Sequence, residues 1–355
     1  MPPRVAHTAL VALVAFVVRA AWGLSVNVPP AWDGELYERG ARAIAAGLGY
    51  SCAMFGPQAD PHVPTAYYPV GYPALLGAFY VLFGPSLRVV ALLGAGLGAL
   101  SAALTHRLAL RVTGPRAALL AGLAYALSPG VALFASTPMT ETLWGALLAL
   151  AVWALVPRGA LTARRLLLCA LALTAAVYVR PQAMLLVPLL PALPDADPRL
   201  RVKRAALVTA VTVALVAPWS LRNCGAIDGC AFVSTNGGGN LAIGAIPRGD
   251  GMFTFLTPAD GCRGVRGEVA RDRCWRRVAL GHIRRDPWRW ISLSVAKVHH
   301  TWAYEAFPVG YLRTARPDLL TFADETRWRR RITPPWRLVL YAALLALLPL
   351  FPRAP

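Results

Sequence analysis

Two acidic residues, Asp33 and Glu35, lie about ten residues beyond an apolar run, near 5–24, that is long enough to cross a membrane. Carboxylates are scarce in this chain, which has 17 acidic residues against 36 basic ones. A carboxylate in this position can take a proton from a hydroxyl group as a general base, or it can cap the N-terminus of a following helix. The elements around the two acids decide between these roles.

The composition predicts a polytopic membrane protein, because 57% of the residues are hydrophobic and only 15% are charged. The net charge of +19 comes almost wholly from arginine. In a chain embedded in lipid, this charge favours phosphate-bearing headgroups or lipid-linked substrates as partners. The sequence contains no recognisable nucleic-acid-binding module, so we do not expect nucleic acid as a partner.

Apolar stretches long enough to cross about 30 Å of hydrocarbon predict about eight transmembrane helices. They lie near 5–24, 86–106, 116–134, 139–156, 165–179, 182–194, 205–220 and 336–351. The first stretch follows a short basic region and has an Ala-rich end, so a cleaved signal peptide is an alternative interpretation.

The stretch "GYPALLGAFYVLFG" (71–84) decides the predicted topology. As a helix it would reach only about 21 Å, so we expect it to lie along the membrane surface. The arginine-rich loops 106–116, 157–165 and 199–204 then all lie on the cytoplasmic side, as the positive-inside rule requires. Asp33 and Glu35 are consequently predicted to lie just outside the membrane, on the side opposite to the cytoplasm.

This topology divides the chain into five parts. They are a first transmembrane helix (1–25), an outer loop with juxtamembrane helices (26–85), transmembrane helices two to seven (86–220), an extracytoplasmic segment (221–335), and a last transmembrane helix with a tail (336–355).

Each outer segment contains a predicted surface helix. In "LYERGARAIAAGLGY" the apolar spacing of Leu36, Ala43, Ile44 and Leu48 fits a helix lying on the membrane, with Gly47 and Gly49 ending it.

In 284–302, Asp286 is a predicted N-cap and Pro287 the first helical residue. One apolar face of this second helix suggests membrane anchoring, and a phosphate contact by Lys297 is the alternative. The face comprises Trp288, Ile291, Val295, Val298 and Trp302.

The cysteines of the long outer segment fit an oxidising compartment. Cys224 and Cys230, and likewise Cys262 and Cys274, can each close a short loop as a disulfide. A zinc site is the competing interpretation, although no C-x-x-C spacing occurs. Cys52 and Cys169 have no obvious partner.

Two glycine patterns have structural interpretations. The G-x-x-x-G pattern of Gly94 and Gly98 predicts close helix packing. The sequence "NGGGN" (236–240) lacks the phosphate-loop pattern and is predicted to be a flexible turn.

Seven segments in register resemble the bacterial dolichyl-phosphate-mannose-protein mannosyltransferase-like family, which includes the lipid A aminoarabinose transferase. They are "WDGELYERGARAIAAGLGY", "TAYYPVGYPALLGAFYVLFG", "STPMTETLWGALLAL", "YVRPQAMLL", "APWSLRN", "STNGGGNLAIGAIPRGDG" and "IRRDPWRWISLSVAK". The resemblance extends over about residues 10–300.

The resemblance implies an all-α membrane glycosyltransferase of the GT-C fold. Such enzymes transfer a sugar from a polyprenyl-phosphate donor to a lipid, glycan or protein acceptor, here at the outer face of a bacterial inner membrane. The family's catalytic acid in the first outer loop falls on Asp33, with Glu35 as a second possibility. Glu141 matches the family's serine/threonine-glutamate motif, which implies a role in orienting the acceptor or a metal.

Four basic residues are candidates for holding the donor phosphate, because arginine binds phosphate bidentately. They are Arg19, Arg180, Arg222 and Lys297. Arg180 can instead snorkel to the interface, and Arg222 with Asn223 can belong to a turn. Arg19 lies within the first predicted span, where a charge is costly, and its expected partner is Asp33 or the donor phosphate.

Cofactor and partners remain open at this level. A divalent metal is possible, and His299 and His300 can contribute to a site, although no third ligand is evident. Val70 replaces a proline usual in relatives, and only one span is predicted after Lys297 where many relatives have several. We therefore also consider a partner subunit that completes the site, and an inactive GT-C-like scaffold. A lipid-linked sugar transporter or flippase is the alternative from another functional class.

Overall fold

The computed structural model describes residues 3–52, 60, 62–156, 160–193, 197–305 and 307–347, and the regular structure of this part is helical. The α-helices are α1 (Pro3–Val26), α2 (Asp33–Ala45), α3 (Gly71–Phe83), α4 (Leu87–Val112), α5 (Pro115–Leu127), α6 (Pro129–Phe134), α7 (Glu141–Leu155), α8 (Ala163–Val179), α9 (Leu186–Leu189), α10 (Pro198–Ala226), α11 (Gly237–Ile243), α12 (Glu268–Arg285), α13 (Pro287–Ala303), α14 (Phe307–Ala315) and α15 (Phe322–Leu347).

Three helices of the described chain are long and apolar enough to cross a membrane. They comprise Val5–Val26, Leu87–Val112 and Pro198–Ala226. Shorter apolar helices cover Gly71–Phe83, Pro115–Leu127, Glu141–Leu155 and Pro181–Ala192. The predicted class, an all-α membrane protein, is confirmed, whereas the count of eight spans remains a prediction.

Prolines divide two stretches that the sequence presents as continuous. The stretch 116–134 forms α5 and α6, because Ser128 adopts an extended conformation before Pro129. The stretch 182–194 contains the short α9 between 3-10 turns at Pro181–Leu185 and Leu190–Ala192. Proline has no backbone N–H to donate to the helix, and its ring clashes with the preceding turn, so the α-helix is interrupted at these positions.

The frame of the molecule is the packing of α1 against α4 and α5. Val11 and Ala15 are fully buried there, which favours a permanent helix over a cleaved signal peptide. A side chain at Gly94 would clash with the carbonyl group of Ala135, and one at Gly98 would clash with Arg19. The predicted packing role of this glycine pair is confirmed.

The helix predicted in the first outer loop is confirmed as α2, which ends before Gly47 and Gly49, both with positive φ. Its location on the membrane surface stays a prediction. Its buried face agrees with the predicted one only in part. Ala43 is buried as predicted. Leu48 is exposed, whereas Tyr37 and Ala41 are buried, because α2 packs against α3 through small residues and a tyrosine.

Residues between α10 and α13, in the segment predicted to be extracytoplasmic, form a small unit that we call the outer unit. Cys262 and Trp275 belong to its hydrophobic cluster. Both predicted disulfides, Cys224–Cys230 and Cys262–Cys274, are present, and Cys52 and Cys169 are buried and form no disulfide. The prediction of a flexible turn at 236–240 is wrong: these residues begin α11, and the N–H of Gly238 donates to the Asp272 carboxylate.

The helix predicted within 284–302 is confirmed as α13 (Pro287–Ala303), whereas its anchoring in the membrane surface stays a prediction. The Asp286 carboxylate accepts a hydrogen bond from the Arg289 backbone N–H at 2.9 Å, which caps the helix. The five apolar residues of the predicted face are exposed by 51% to 78%. Trp302, at the end of this face, stacks on Trp336 of α15.

Candidate functional site

A cavity of about 750 Å³ lies between α2 and the end of α8 on one side and the outer unit on the other. Its inner wall comes from α2, the segment 67–69 and the end of α8. Its outer wall comes from α11, α12 and the segment 253–263. Two predicted site residues, Asp33 and Arg180, lie on the inner wall.

Asp33 is the first residue of α2, and Tyr68 fixes its carboxylate. The Tyr68 hydroxyl donates to Asp33 Oδ1 at 2.7 Å. Within the described residues, no group donates to Oδ2. Trp32, not Asp33, occupies the N-cap position, and the cap has no side-chain hydrogen bond. The capping interpretation of Asp33 is therefore wrong, and one carboxylate oxygen is available for other chemistry.

Aromatic side chains surround this carboxylate. The Tyr37 and Tyr67 rings each lie 5.0 Å from the Tyr68 ring, measured between centroids. Burial, together with the negative charge and hydrogen bond of Asp33, raises the pKa of Tyr68 well above its usual value. Tyr68 therefore stays protonated and donates to Asp33 at any physiological pH.

Arg180 lies at the C-terminal end of α8 and forms a salt bridge with Glu141. Its Nε also donates to the Thr140 hydroxyl at 2.9 Å. The side chains of Arg180 and Glu141 are 36% and 39% exposed, so the pair faces water. Glu141 itself does not line the cavity. Through its salt bridge, Glu141 orients the guanidinium of Arg180, which does line the cavity.

The outer wall contributes charged residues that the sequence reading missed, namely Arg263, Glu268, Arg271 and Asp272. The two acids are engaged by the fold. Glu268 accepts hydrogen bonds from the Thr65 hydroxyl, the Ala66 N–H and the Thr235 hydroxyl. In the sequence these four residues are marked only by following the family-like segment 234–251. That position does not indicate that α12 packs back against the cavity.

The remaining predicted candidates lie elsewhere. Glu35 is exposed, pairs loosely with Arg39 at 3.9 Å and does not line the cavity. Glu35 lies two positions after Asp33, and residues at that spacing point away from one another on a helix.

Arg19 does not pair with Asp33 as expected. Its side chain is 1% exposed, and its guanidinium donates to the carbonyls of Ala15 at 3.1 Å, Ala126 at 2.7 Å and Tyr125 at 3.2 Å. The carbonyls of Ala126 and Tyr125 lie at the C-terminal end of α5, where the helix dipole favours a cation. Arg19 thus joins α1 to α5.

Arg222 and Lys297 also bond to backbone outside the cavity lining. Arg222 donates to the carbonyls of Thr65 at 2.8 Å and Tyr50 at 2.7 Å, which joins these two residues to α10. Lys297 donates to the Gly244 carbonyl at 2.9 Å and lies over the Trp290 ring. Burial and the nearby Arg289 lower the pKa of Lys297.

The described residues contain no cluster of three or more His, Cys, Asp or Glu side chains that could hold a metal ion. His299 and His300 have ring centroids 5.7 Å apart. A divalent metal therefore stays an untested prediction.

The fold and the cavity define an all-helical membrane protein with a carboxylate and an arginine on one cavity wall. Residues 68–221 match the profile of the dolichyl-phosphate-mannose-protein mannosyltransferase family, and this match confirms the resemblance found in the sequence. It supports a membrane glycosyltransferase of the GT-C type. The matched residues include Tyr68, Glu141 and Arg180, whereas Asp33 and the outer wall lie outside them. No curated protein matches the sequence.

Proposed function

We propose that this protein transfers a sugar from a polyprenyl-phosphate donor to an acceptor hydroxyl at the outer face of the membrane. The observation that carries the proposal is the placement of Asp33 and Arg180 on one wall of a single cavity. A base and a cation on the same wall are the two groups that such a transfer needs.

Asp33 is the proposed general base. Its carboxylate takes the proton of the acceptor hydroxyl as the acceptor oxygen bonds to the anomeric carbon of the sugar. The bond from that carbon to the phosphate oxygen breaks at the same time, and polyprenyl phosphate leaves with the bonding electrons. Tyr68 holds the carboxylate in place through Oδ1.

Arg180 is the proposed phosphate ligand. A guanidinium can bind two phosphate oxygens at once, and charge-assisted hydrogen bonds of this kind are about twice as strong as neutral ones. Glu141 and Thr140 hold the side chain in the absence of substrate.

The decisive experiment incubates purified protein with a panel of radiolabelled polyprenyl-phosphate sugars and candidate acceptors. We expect transfer from at least one donor, and we expect Asp33→Asn to lower turnover by roughly 100-fold or more, as is typical when a general base is lost. Asparagine has nearly the same size and can still accept the Tyr68 hydrogen bond, so folding should be retained.

Glu35→Gln is the matched control, because Glu35 lies on the same helix but outside the cavity. Full transfer by Asp33→Asn, or an equal loss in Glu35→Gln, would show that the base lies elsewhere. Movement of the labelled lipid across vesicles without sugar transfer would instead identify a transporter.

A second experiment tests the face of the membrane. Gly114 and Gly264 both have open space where a side chain would lie, so a cysteine fits at either position. In intact cells, a membrane-impermeant thiol reagent should label cysteine at 264 and spare cysteine at 114. Equal labelling would contradict the predicted topology, in which the cavity lies at the outer face.

A further inference from the structure

Helix α14 brings a residue from the far end of the chain against the loop that precedes Asp33. Tyr311 is fully buried, and its hydroxyl oxygen accepts a hydrogen bond from the Ala31 N–H at 2.8 Å. The first turn of α2 fits closely around this hydroxyl, because a side chain at Gly34 would clash with it. The hydroxyl thus lies between the loop and the helix that carries Asp33.

The loop at this contact has an unfavourable backbone. Trp32 has φ 49° and ψ −130°, a region that non-glycine residues rarely adopt. Such a conformation persists only when the surrounding structure enforces it. The Trp32 ring packs against Tyr311 and Phe307, with centroids 5.7 Å and 5.6 Å away. Helix α14 therefore holds the strained residue by its ring and the preceding residue by its backbone.

Helix α14 also holds the start of the same loop. The guanidinium of Arg316, just after α14, donates to the carbonyl of Val26, the last residue of α1. The six residues from 27 to 32 are thus fixed to α14 at both ends. Neither α14 nor Arg316 lies in the region that matches the family profile.

We propose that Tyr311 is a positioning residue for the transfer reaction: it fixes the turn at Trp32 and thereby the place of the Asp33 carboxylate in the cavity. The inference rests on the proposed function, in which Asp33 is the base. It also assigns a role to a segment near the C-terminal end, where the sequence offered no candidate. A displacement of the Asp33 carboxylate by about 1 Å is enough to slow a reaction that depends on the orientation of its base.

The test is Tyr311→Phe, which keeps the ring packing and removes the hydrogen-bond acceptor. We expect kcat to fall by about tenfold, with the donor KM unchanged, because Arg180 is untouched. In the Asp33→Asn background, the same change should have almost no further effect on kcat, because the two residues act as one unit. An equal loss in both backgrounds would mean that Tyr311 only stabilises the fold, and no loss in the wild-type background would also overturn the proposal.

A readout that needs no activity separates this inference from the proposed function. In hydrogen–deuterium exchange, peptides covering 27–33 should exchange faster in Tyr311→Phe than in wild type, because the Ala31 N–H loses its partner. Tyr341→Phe is the control, since Tyr341 is 55% exposed on α15, and it should leave exchange and kcat unchanged.

If Tyr311→Phe leaves hydrogen–deuterium exchange at 27–33 unchanged, Tyr311 does not fix the loop and the inference is wrong. If Asp33→Asn transfers sugar at the wild-type rate, the proposed function fails, and the catalytic role of Tyr311 fails with it. Faster exchange would then still establish the structural contact, so the two failures can be told apart.

Discussion

The two walls of the cavity are built in different ways. The inner wall is held by buried helices: α2 packs on α3, α3 contacts α8, and α8 packs on α7. The outer wall is held by a disulfide at Cys262–Cys274 and by carboxylates that bond to backbone N–H groups. Among the residues that the structure describes, none donates to the second oxygen of the Asp33 carboxylate, whereas the outer acids Glu268 and Asp272 accept hydrogen bonds that hold the fold.

This difference shows that a charged residue in a cavity wall is not by that fact alone a catalytic or binding residue. Both walls carry acids and arginines. The distinguishing feature is how many of the hydrogen-bonding positions of each group the protein already occupies. Three perturbations can sharpen or break this contrast.

Loss of the outer disulfide should have the largest effect on stability. Replacing both Cys262 and Cys274 by serine should lower the stability of the outer unit by about 3 kcal/mol, because the unfolded chain gains freedom. Exchange measurements should show faster exchange in α12 but not in α4. The Cys224→Ser, Cys230→Ser variant is the matched control and should have a smaller effect, because it opens a shorter loop. Equal destabilisation of α4 would mean that the two walls are one cooperative unit.

Substituting one arginine on each wall by alanine tests which wall binds the donor phosphate. Arg180→Ala should raise the donor KM by roughly 10- to 150-fold, since a charge-assisted hydrogen bond is worth about 1.5–3 kcal/mol. Arg263→Ala, on the outer wall, should change the donor KM by less than about threefold, because exposed charges contribute little. Steady-state kinetics on both variants decides the matter, and a larger effect at Arg263 would move the donor phosphate to the outer wall.

The smallest effect is expected at Asp228, which accepts hydrogen bonds from the N–H groups of Val269 and Ala270 at 3.0 Å each. The N-cap of α12 is Gly267, which has no side chain, so Asp228 supplies the cap. Asp228→Ala should cost about 1 kcal/mol of stability. Asp228→Asn retains an acceptor and should cost less.

The cap also predicts a pH dependence. Burial alone would raise the pKa of Asp228, but the N–H groups of Ala270 and Val269 together lower it. An acid whose pKa is lower in the folded state stabilises the protein above its unfolded pKa, and this contribution is lost as the pH falls through the folded pKa. The difference in thermal midpoint between wild type and Asp228→Ala should therefore be present at pH 7 and shrink below about pH 4. A difference independent of pH would show that the charge does not contribute.

The sequence predicted features that depend on local chemistry. The cap at Asp286, the end of α2 before Gly47 and the two disulfides all involve residues close together in the chain, and all are confirmed. The divided stretches at Ser128 and at 181–192 were missed because hydropathy counts apolar residues, whereas proline acts on the backbone.

The candidate site was predicted only in part for a related reason. Asp33 and Arg180 carry recognisable sequence signals, but the contact between Tyr68 and Asp33 spans 35 residues and the contact between Glu268 and Thr65 spans 203. Such contacts follow from how helices pack, which hydrophobic spacing does not specify. The observed partners of Arg19 were not predicted, because they are backbone carbonyl groups at the end of α5, and such groups leave no signal in a sequence.

The contact between Ala31 and Tyr311 also has a consequence for biosynthesis, because the two residues are 280 positions apart. At an elongation rate of roughly 5–20 residues per second, the loop before Asp33 leaves the ribosome roughly 15 to 55 seconds before its anchor is made. During this interval the chain has its carboxylate but not the helix that fixes it. A polypeptide terminated before α14 would therefore contain every residue that matches the family profile and still lack the clamp on residues 27–32.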